Sequence, residues 1–145
     1  MINIICFGKI KEKYLQELID DYKNRIAKYH NIKIIELPDI NDLEKESESI
    51  IKYIKPNDYT ISLAIEGKQL SSEELADTIE KTFIHHPNIN FIIGESLGIS
   101  NKIKEQSNLL LSFSKLTYPH GLFRGILLEQ IYRSFKIINK ETYHK

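Results

Sequence analysis

The stretch Ile89-Asn90-Phe91-Ile92-Ile93-Gly94-Glu95-Ser96-Leu97-Gly98 decides the architecture. A compact apolar run that stops at a glycine reads as a buried strand feeding directly into a tight loop. Runs of the same kind recur at Ile2–Phe7, Ile32–Leu37, Tyr59–Ile65 and Leu109–Phe113. They are almost wholly apolar and do not alternate, as expected of a parallel sheet covered on both faces. The segments between them carry helical signals. Residues 12–29 place Tyr14, Leu15, Leu18, Ile19, Tyr22 and Ile26 on one helical face. Residues 41–55 begin acidic and end with Lys52 and Lys55, which suits a helix dipole. Ser71 and Glu74 form a capping box for a helix to about Phe83, and Ser100 caps a short helix over 100–107. Pro119 opens a long helix to about Ile137. Five strand–helix pairs in this order predict one α/β domain over residues 1–145, three layers (α/β/α) around a mainly parallel sheet. Ligands of such folds bind beyond the carboxyl ends of the strands.

Composition narrows the function. The chain of 145 residues carries 20 basic and 20 acidic side chains, a formal net charge of zero. That argues against a protein that coats nucleic acid by bulk charge. The charge is nonetheless uneven: residues 1–35 and 110–145 are net basic and the middle is net acidic. Either a polyanionic partner meets the two ends, or the gradient is accidental. No apolar run approaches the roughly 20 residues of a membrane span. The apolar N-terminus lacks a basic leader region and a small-residue cleavage site, so no membrane association is expected. The single cysteine, Cys6, cannot close an internal disulfide, and with its strand it reads as a buried, inert thiol in a cytoplasmic protein. His85 and His86 lack partners at metal-ligand spacing, so no metal is expected.

Three loops fall at strand carboxyl ends: Ile65–Gln69, Gly94–Ile99 and Ser114–His120. In the second, Gly94 and Gly98 permit close approach of a ligand to backbone, or serve only a tight strand-to-helix turn. The third is dense in hydroxyls and leads into a helix N-terminus with free N–H groups. His120 and Arg124 lie one turn apart, and Arg124, Arg133 and Lys136 make the last helix suited to phosphate. The alternative is a core helix with a solvated charged side. The ending Tyr143-His144-Lys145 offers a ring for stacking and groups for phosphate or proton transfer, or is a frayed terminus.

Taken together, several segments resemble the RlmH family, small SPOUT-class RNA methyltransferases. They are Gly8-Lys9-Ile10-Lys11-Glu12-Lys13-Tyr14, Ile35-Glu36-Leu37-Pro38-Asp39, Gly67-Lys68-Gln69-Leu70-Ser71-Ser72-Glu73 and Phe91-Ile92-Ile93-Gly94. The most specific are Leu111-Ser112-Phe113-Ser114-Lys115-Leu116-Thr117-Tyr118-Pro119-His120, Leu127-Leu128-Glu129-Gln130-Ile131-Tyr132-Arg133 and the terminal Tyr143-His144-Lys145. The resemblance implies methylation of N3 of a pseudouridine in 23S ribosomal RNA of the large subunit, with S-adenosylmethionine as donor and no metal. It also implies a homodimer and a C-terminal trefoil knot, one of the few exceptions to unknotted topology. Carried over residue by residue, Leu63, Gly94, Phe113, Ser114, Lys115, Leu116, Thr117 and Tyr118 would bind the cofactor. His120, Arg124, Tyr143 and His144 would act on the substrate side. Phosphate contacts would come from Arg124, Arg133, Lys136 and the N-terminal lysines of both subunits.

The chain departs from the pattern in places. Glu95 stands where the family usually has a second glycine, and Gly121 and Gly125 replace larger residues, which should loosen the last helix by about 1 kcal/mol each. Asn139-Lys140 and Thr142 replace the usual residues before the final triplet. Two rival readings follow. One is a non-catalytic ribosome-associated RNA-binding module on the same fold, with Glu95 as its best support. The other is a flavodoxin-like nucleotide binder.

Overall fold

In the computed structural model, which describes residues 1–95 and 97–144, ten elements follow one another. They are β1 (Ile2–Phe7), α1 (Lys13–Ala27), β2 (Ile32–Leu37), α2 (Leu43–Ile51), β3 (Tyr59–Gln69), α3 (Ser72–His85), β4 (Ile89–Ile92), α4 (Asn101–Gln106), β5 (Leu109–Ser112) and α5 (His120–Ile138). Ser96 of the glycine loop and Lys145 of the terminal triplet lie outside the described residues.

The five strands form one sheet in the order β2-β1-β4-β3-β5, and every neighbouring pair is parallel. Parallel neighbours cannot be joined by a tight hairpin, so each connection is a crossover, and the helices supply them. At the centre, Ile4 stands beside Ile34 on one side and Phe91 on the other. The pleat sends alternate side chains to opposite faces. Ile2, Ile4, Cys6, Phe91 and Ile93 join Ile19 and Ile26 of α1, Leu75 and Ile79 of α3, and Leu127, Ile131 and Phe135 of α5 in one core cluster. Ile5, Phe7 and Ile92 join Leu37, Ile50 of α2, Ile99 and Ile103 of α4 in the other. The result is the expected α/β/α sandwich, with α1, α3 and α5 on one face and α2 and α4 on the other.

The local signals are met by caps. The Asp42 side chain accepts from the N–H groups of Glu44 and Lys45, and Ser100 accepts from Ile103 N–H. Ser71 and Glu74 form the reciprocal capping box. Cys6 is 1% exposed and burial pushes its thiol up to about 12, so it stays protonated and inert at neutral pH.

Two expectations are corrected. Residues 66–69, read as loop, continue β3: pairing with β5 breaks between Leu63 and Lys68 and then resumes at Lys68 and Gln69. These residues are polar because they run out past the covered part of the sheet, so their sequence carries no strand pattern. Gly67 is where this extension meets β5, since a Cβ there would lie 2.7 Å from the Leu110 carbonyl oxygen.

The second correction concerns Gly121 and Gly125. They are the contact between α5 and α1 and not loose points. A Cβ on Gly121 would lie 2.8 Å from Leu15 Cδ1, and one on Gly125 would lie 2.6 Å from Leu18 Cδ2. The propensity cost of glycine is thus offset by closer helix packing. Gly125→Ala is expected to lower stability by about 1 kcal/mol although alanine is the better helix former, because overpacking exceeds the propensity gain. Thermal or urea denaturation measures this, and a variant as stable as the parent would show that Leu18 can simply turn aside.

Candidate functional site

The carboxyl ends of β3, β4 and β5 open onto a cavity of about 400 Å³, within the roughly 300–1,000 Å³ typical of small-molecule sites. Its floor is apolar, made by Leu63, Ile93, Ile99, Leu111, Phe113 and Phe123. Its rim is polar and holds Glu66, Glu95, Lys104, Thr117, Tyr118 and His120.

Three chain segments shape it. β4 ends in the glycine loop, where Gly98 N–H donates to the Glu95 carbonyl at 2.7 Å and Gly98 takes a φ of +77°. Gly94 and Gly98 meet backbone to backbone: a Cβ on Gly94 would lie 2.6 Å from the Gly98 carbonyl oxygen. The segment after β5 is folded by its own hydroxyls. Ser112 Oγ donates to the Ser114 carbonyl, Leu116 N–H donates to Ser114 Oγ, and the Ser114 and Tyr118 hydroxyls lie 3.1 Å apart. Phe123 pins this segment from α5, packing edge-on against Phe113 and stacking on Tyr118. The third segment is the end of β3, where Lys104 donates to Glu66 and holds that carboxyl below its usual range.

Of the residues expected to bind a cofactor, Leu63, Gly94, Phe113, Ser114, Leu116, Thr117 and Tyr118 line this cavity. Lys115 does not; it is exposed beside it. Glu66, from the candidate stretch 65–69, also lines the cavity, as do Lys104 and Phe123, for which the sequence gave no signal.

The four residues expected on the substrate side do not converge in one chain. His120 stands at the rim, its Nε2 2.8 Å from Glu95 Oε1, with the Glu95 side chain 15% exposed and that of His120 42%. Arg124, one turn further, is turned inward and only 2% exposed. It donates to Glu36 Oε2 at 2.9 Å and to the carbonyls of Phe7 and Gly8. The expected contact of Arg124 with phosphate is therefore corrected: its charge is spent on closing α5 against the ends of β1 and β2. Arg133 is held by Glu129 through two hydrogen bonds and Lys136 by Glu141, so α5 does not present the free basic face its sequence suggests.

Tyr143 and His144 are not frayed. The Tyr143 hydroxyl donates to Glu129, and its ring lies under the Arg133 guanidinium at 4.8 Å and edge-on to Tyr132. Burial pushes its phenol up, out of the physiological range. His144 Nδ1 accepts from Arg133 and its Nε2 donates to Glu73 at the start of α3. Neither residue lines the cavity of its own chain.

Exposed lysines stand at or just beyond the carboxyl ends of several strands: Lys9, Lys11 and Lys13 after β1, Lys68 near the end of β3's extension, Lys102 after the glycine loop that follows β4, and Lys115 after β5. Among the described residues no cluster of His, Cys, Asp and Glu could hold a metal, and no helix is long and apolar enough to cross a membrane. An apolar slot floored by aliphatic and aromatic side chains, closed by a glycine cradle and rimmed by carboxylates, suits a ligand with a flat apolar ring, hydroxyls and a cationic group.

Comparison with known proteins agrees with this geometry. The family described as "Predicted SPOUT methyltransferase" matches residues 1–144. A relative from Methanococcus vannielii, named "Putative ribosomal RNA large subunit methyltransferase H", is 50% identical over 157 aligned positions, covering 99% of each chain. One from Clostridium botulinum strain 657, named "Ribosomal RNA large subunit methyltransferase H", is 45% identical with the same coverage. In fold, the chain is similar to a solved structure described as a probable methylase family protein from Haemophilus influenzae. The TM-score is 0.55 at 12% identity, over 99% of this chain and 70% of that one. The five-stranded parallel sandwich is thus a SPOUT-type fold, and the chain belongs to the RlmH family of SPOUT methyltransferases.

Proposed function

We propose that this protein methylates N3 of a pseudouridine in 23S ribosomal RNA, using S-adenosylmethionine bound in the cavity at the ends of β3, β4 and β5. The observation that carries the reading is the apolar-floored cavity at the ends of β3, β4 and β5, bounded by the tight turn in which Gly94 packs on Gly98, in a chain of this family. S-adenosylmethionine supplies an activated methyl group, so the residues around it need to bind, orient and exclude water. Leu63, Ile93 and Phe113 offer the apolar contacts for the adenine. The segment from Phe113 to Tyr118, shaped by its own hydroxyls, offers backbone groups. Glu66, at the rim, offers a carboxylate for ribose hydroxyls.

The same proposal includes a homodimer working in the cytoplasm and the C-terminal knot implied by the family. Tyr143 and His144 are ordered on α5 and α3, apart from their own cavity, which supports completion of the site by a second copy. RNA phosphates are met by exposed lysines near the strand ends, Lys9, Lys11, Lys13, Lys68, Lys102 and Lys115, and the zero net charge of the chain favours a structured ribosomal target over free RNA.

Mass spectrometry of 23S nucleosides tests the reaction. Ribosomes from cells lacking the protein are expected to lack one N3-methylpseudouridine, and purified protein with S-adenosylmethionine restores it. An unchanged nucleoside profile sinks the proposal. Calorimetry with S-adenosylmethionine separates an enzyme from a non-catalytic module that has lost the donor.

A further inference from the structure

We propose that His120 is the base that takes the N3 proton in this reaction, and that Glu95 is its positioning residue. The inference rests on the methyl-transfer reading above. Its core is the contact between His120 Nε2 and Glu95 Oε1 at 2.8 Å on the rim of the cavity. A carboxylate is only an acceptor, so the hydrogen in this contact belongs to the imidazole. In the neutral ring, a proton on Nε2 leaves Nδ1 as the free acceptor.

Both partners are held. His120 is the first residue of α5, whose first turn is tied down one turn later by Arg124 on the Phe7 and Gly8 carbonyls. Glu95 sits in the loop closed by the Gly98 N–H and is mostly buried. The imidazole keeps a large exposed surface while the carboxylate behind it is largely covered. An exposed base backed by a covered carboxylate is the arrangement that fixes a tautomer and stabilises the imidazolium formed on proton uptake.

The step balances without another reactant. As the bond between N3 and the methyl carbon forms, the sulfur–carbon bond breaks and its electron pair stays on sulfur. The N3 proton passes to His120 Nδ1, and the imidazolium is paired with Glu95 until solvent removes the proton.

Ring 15N spectra of His120 in the free protein test the positioning half without any substrate. In the neutral ring, Nε2 is expected to carry the proton, with Nδ1 bare. In Glu95→Gln the spectra are expected to shift toward a tautomer mixture. Turnover on ribosomes tests the base. His120→Ala is expected to lose about 100-fold or more in kcat, with part restored by added imidazole. Glu95→Gln is expected to lose about 10-fold, and no further loss is expected when it is added to His120→Ala. A proton on Nδ1, spectra unchanged by Glu95→Gln, full turnover by His120→Ala, or additive losses in the double variant would each overturn the assignment. If the parent protein itself leaves the nucleoside profile unchanged, the methyl-transfer reading fails instead.

Discussion

Arg124→Met is expected to lower the stability of the protein by about 2–4 kcal/mol. The guanidinium is 2% exposed and bonds three acceptors: Glu36 Oε2 and the carbonyls of Phe7 and Gly8. Methionine matches much of its volume, so the loss is of hydrogen bonds and not of packing. Each bond from a charged donor contributes about 1.5–3 kcal/mol, and the two carbonyls are left short of a partner. Two effects reduce the total. Glu36 is about one third exposed and can return to water, and Arg124 Nε is itself buried without a partner among the described residues. Glu36→Gln, which keeps both carbonyl bonds, is expected to cost no more than about 1 kcal/mol. Urea denaturation of the two variants measures the difference. Equal losses would show that the ion pair, and not the grip on β1, is what matters.

Gly94→Ala is expected to weaken binding of S-adenosylmethionine by about 100-fold while leaving most of the fold intact. The added methyl would sit 2.6 Å from Gly98 O and 2.7 Å from Gly98 C. These are backbone atoms, so relief cannot come from a rotamer change. The turn must open, at a cost of about 1–3 kcal/mol, and the residues it aims at the cavity, Glu95 and Ile99, move with it. Gly98→Ala provides a contrast. No atom lies within 4 Å of where its Cβ would stand, but its φ of +77° makes alanine strained. Calorimetry on the Gly94 variant, with thermal melting as control, decides the matter. Unchanged affinity would place the donor elsewhere than in this loop.

Much of the fold was legible in the sequence, because buried parallel strands are apolar from end to end and their helices carry caps. The Ser71–Glu74 box and the Ser100 cap stand where their spacing places them. What was not legible came from side chains acting across the fold. The basic residues of α5 look like a phosphate-binding face until their partners appear: Glu36 lies 88 positions from Arg124, and Glu141 folds back from beyond the helix to meet Lys136. Asn90, polar in an apolar strand, is fully buried because its amide bridges Asn3 and Asp58. The cavity was found through its glycines and its hydroxyl-rich segment. Lys104 and Phe123 were missed because only the tertiary fold brings α4 and the start of α5 beside the strand ends.

The sheet order also governs when the cavity comes into being. Its walls come from the ends of β3, β4 and β5 and the start of α5, and its last wall follows all the others in the chain. A chain that has formed only β1 to β4 has the glycine loop but no opposite side. Ligand affinity therefore appears late in folding, after the long-range β3–β5 pairing, which is the kind of contact that forms slowly. A ligand that binds only the finished sheet stabilises that state by mass action and no earlier one. The donor thus adds nothing to the early nucleus and should slow unfolding much more than it speeds folding.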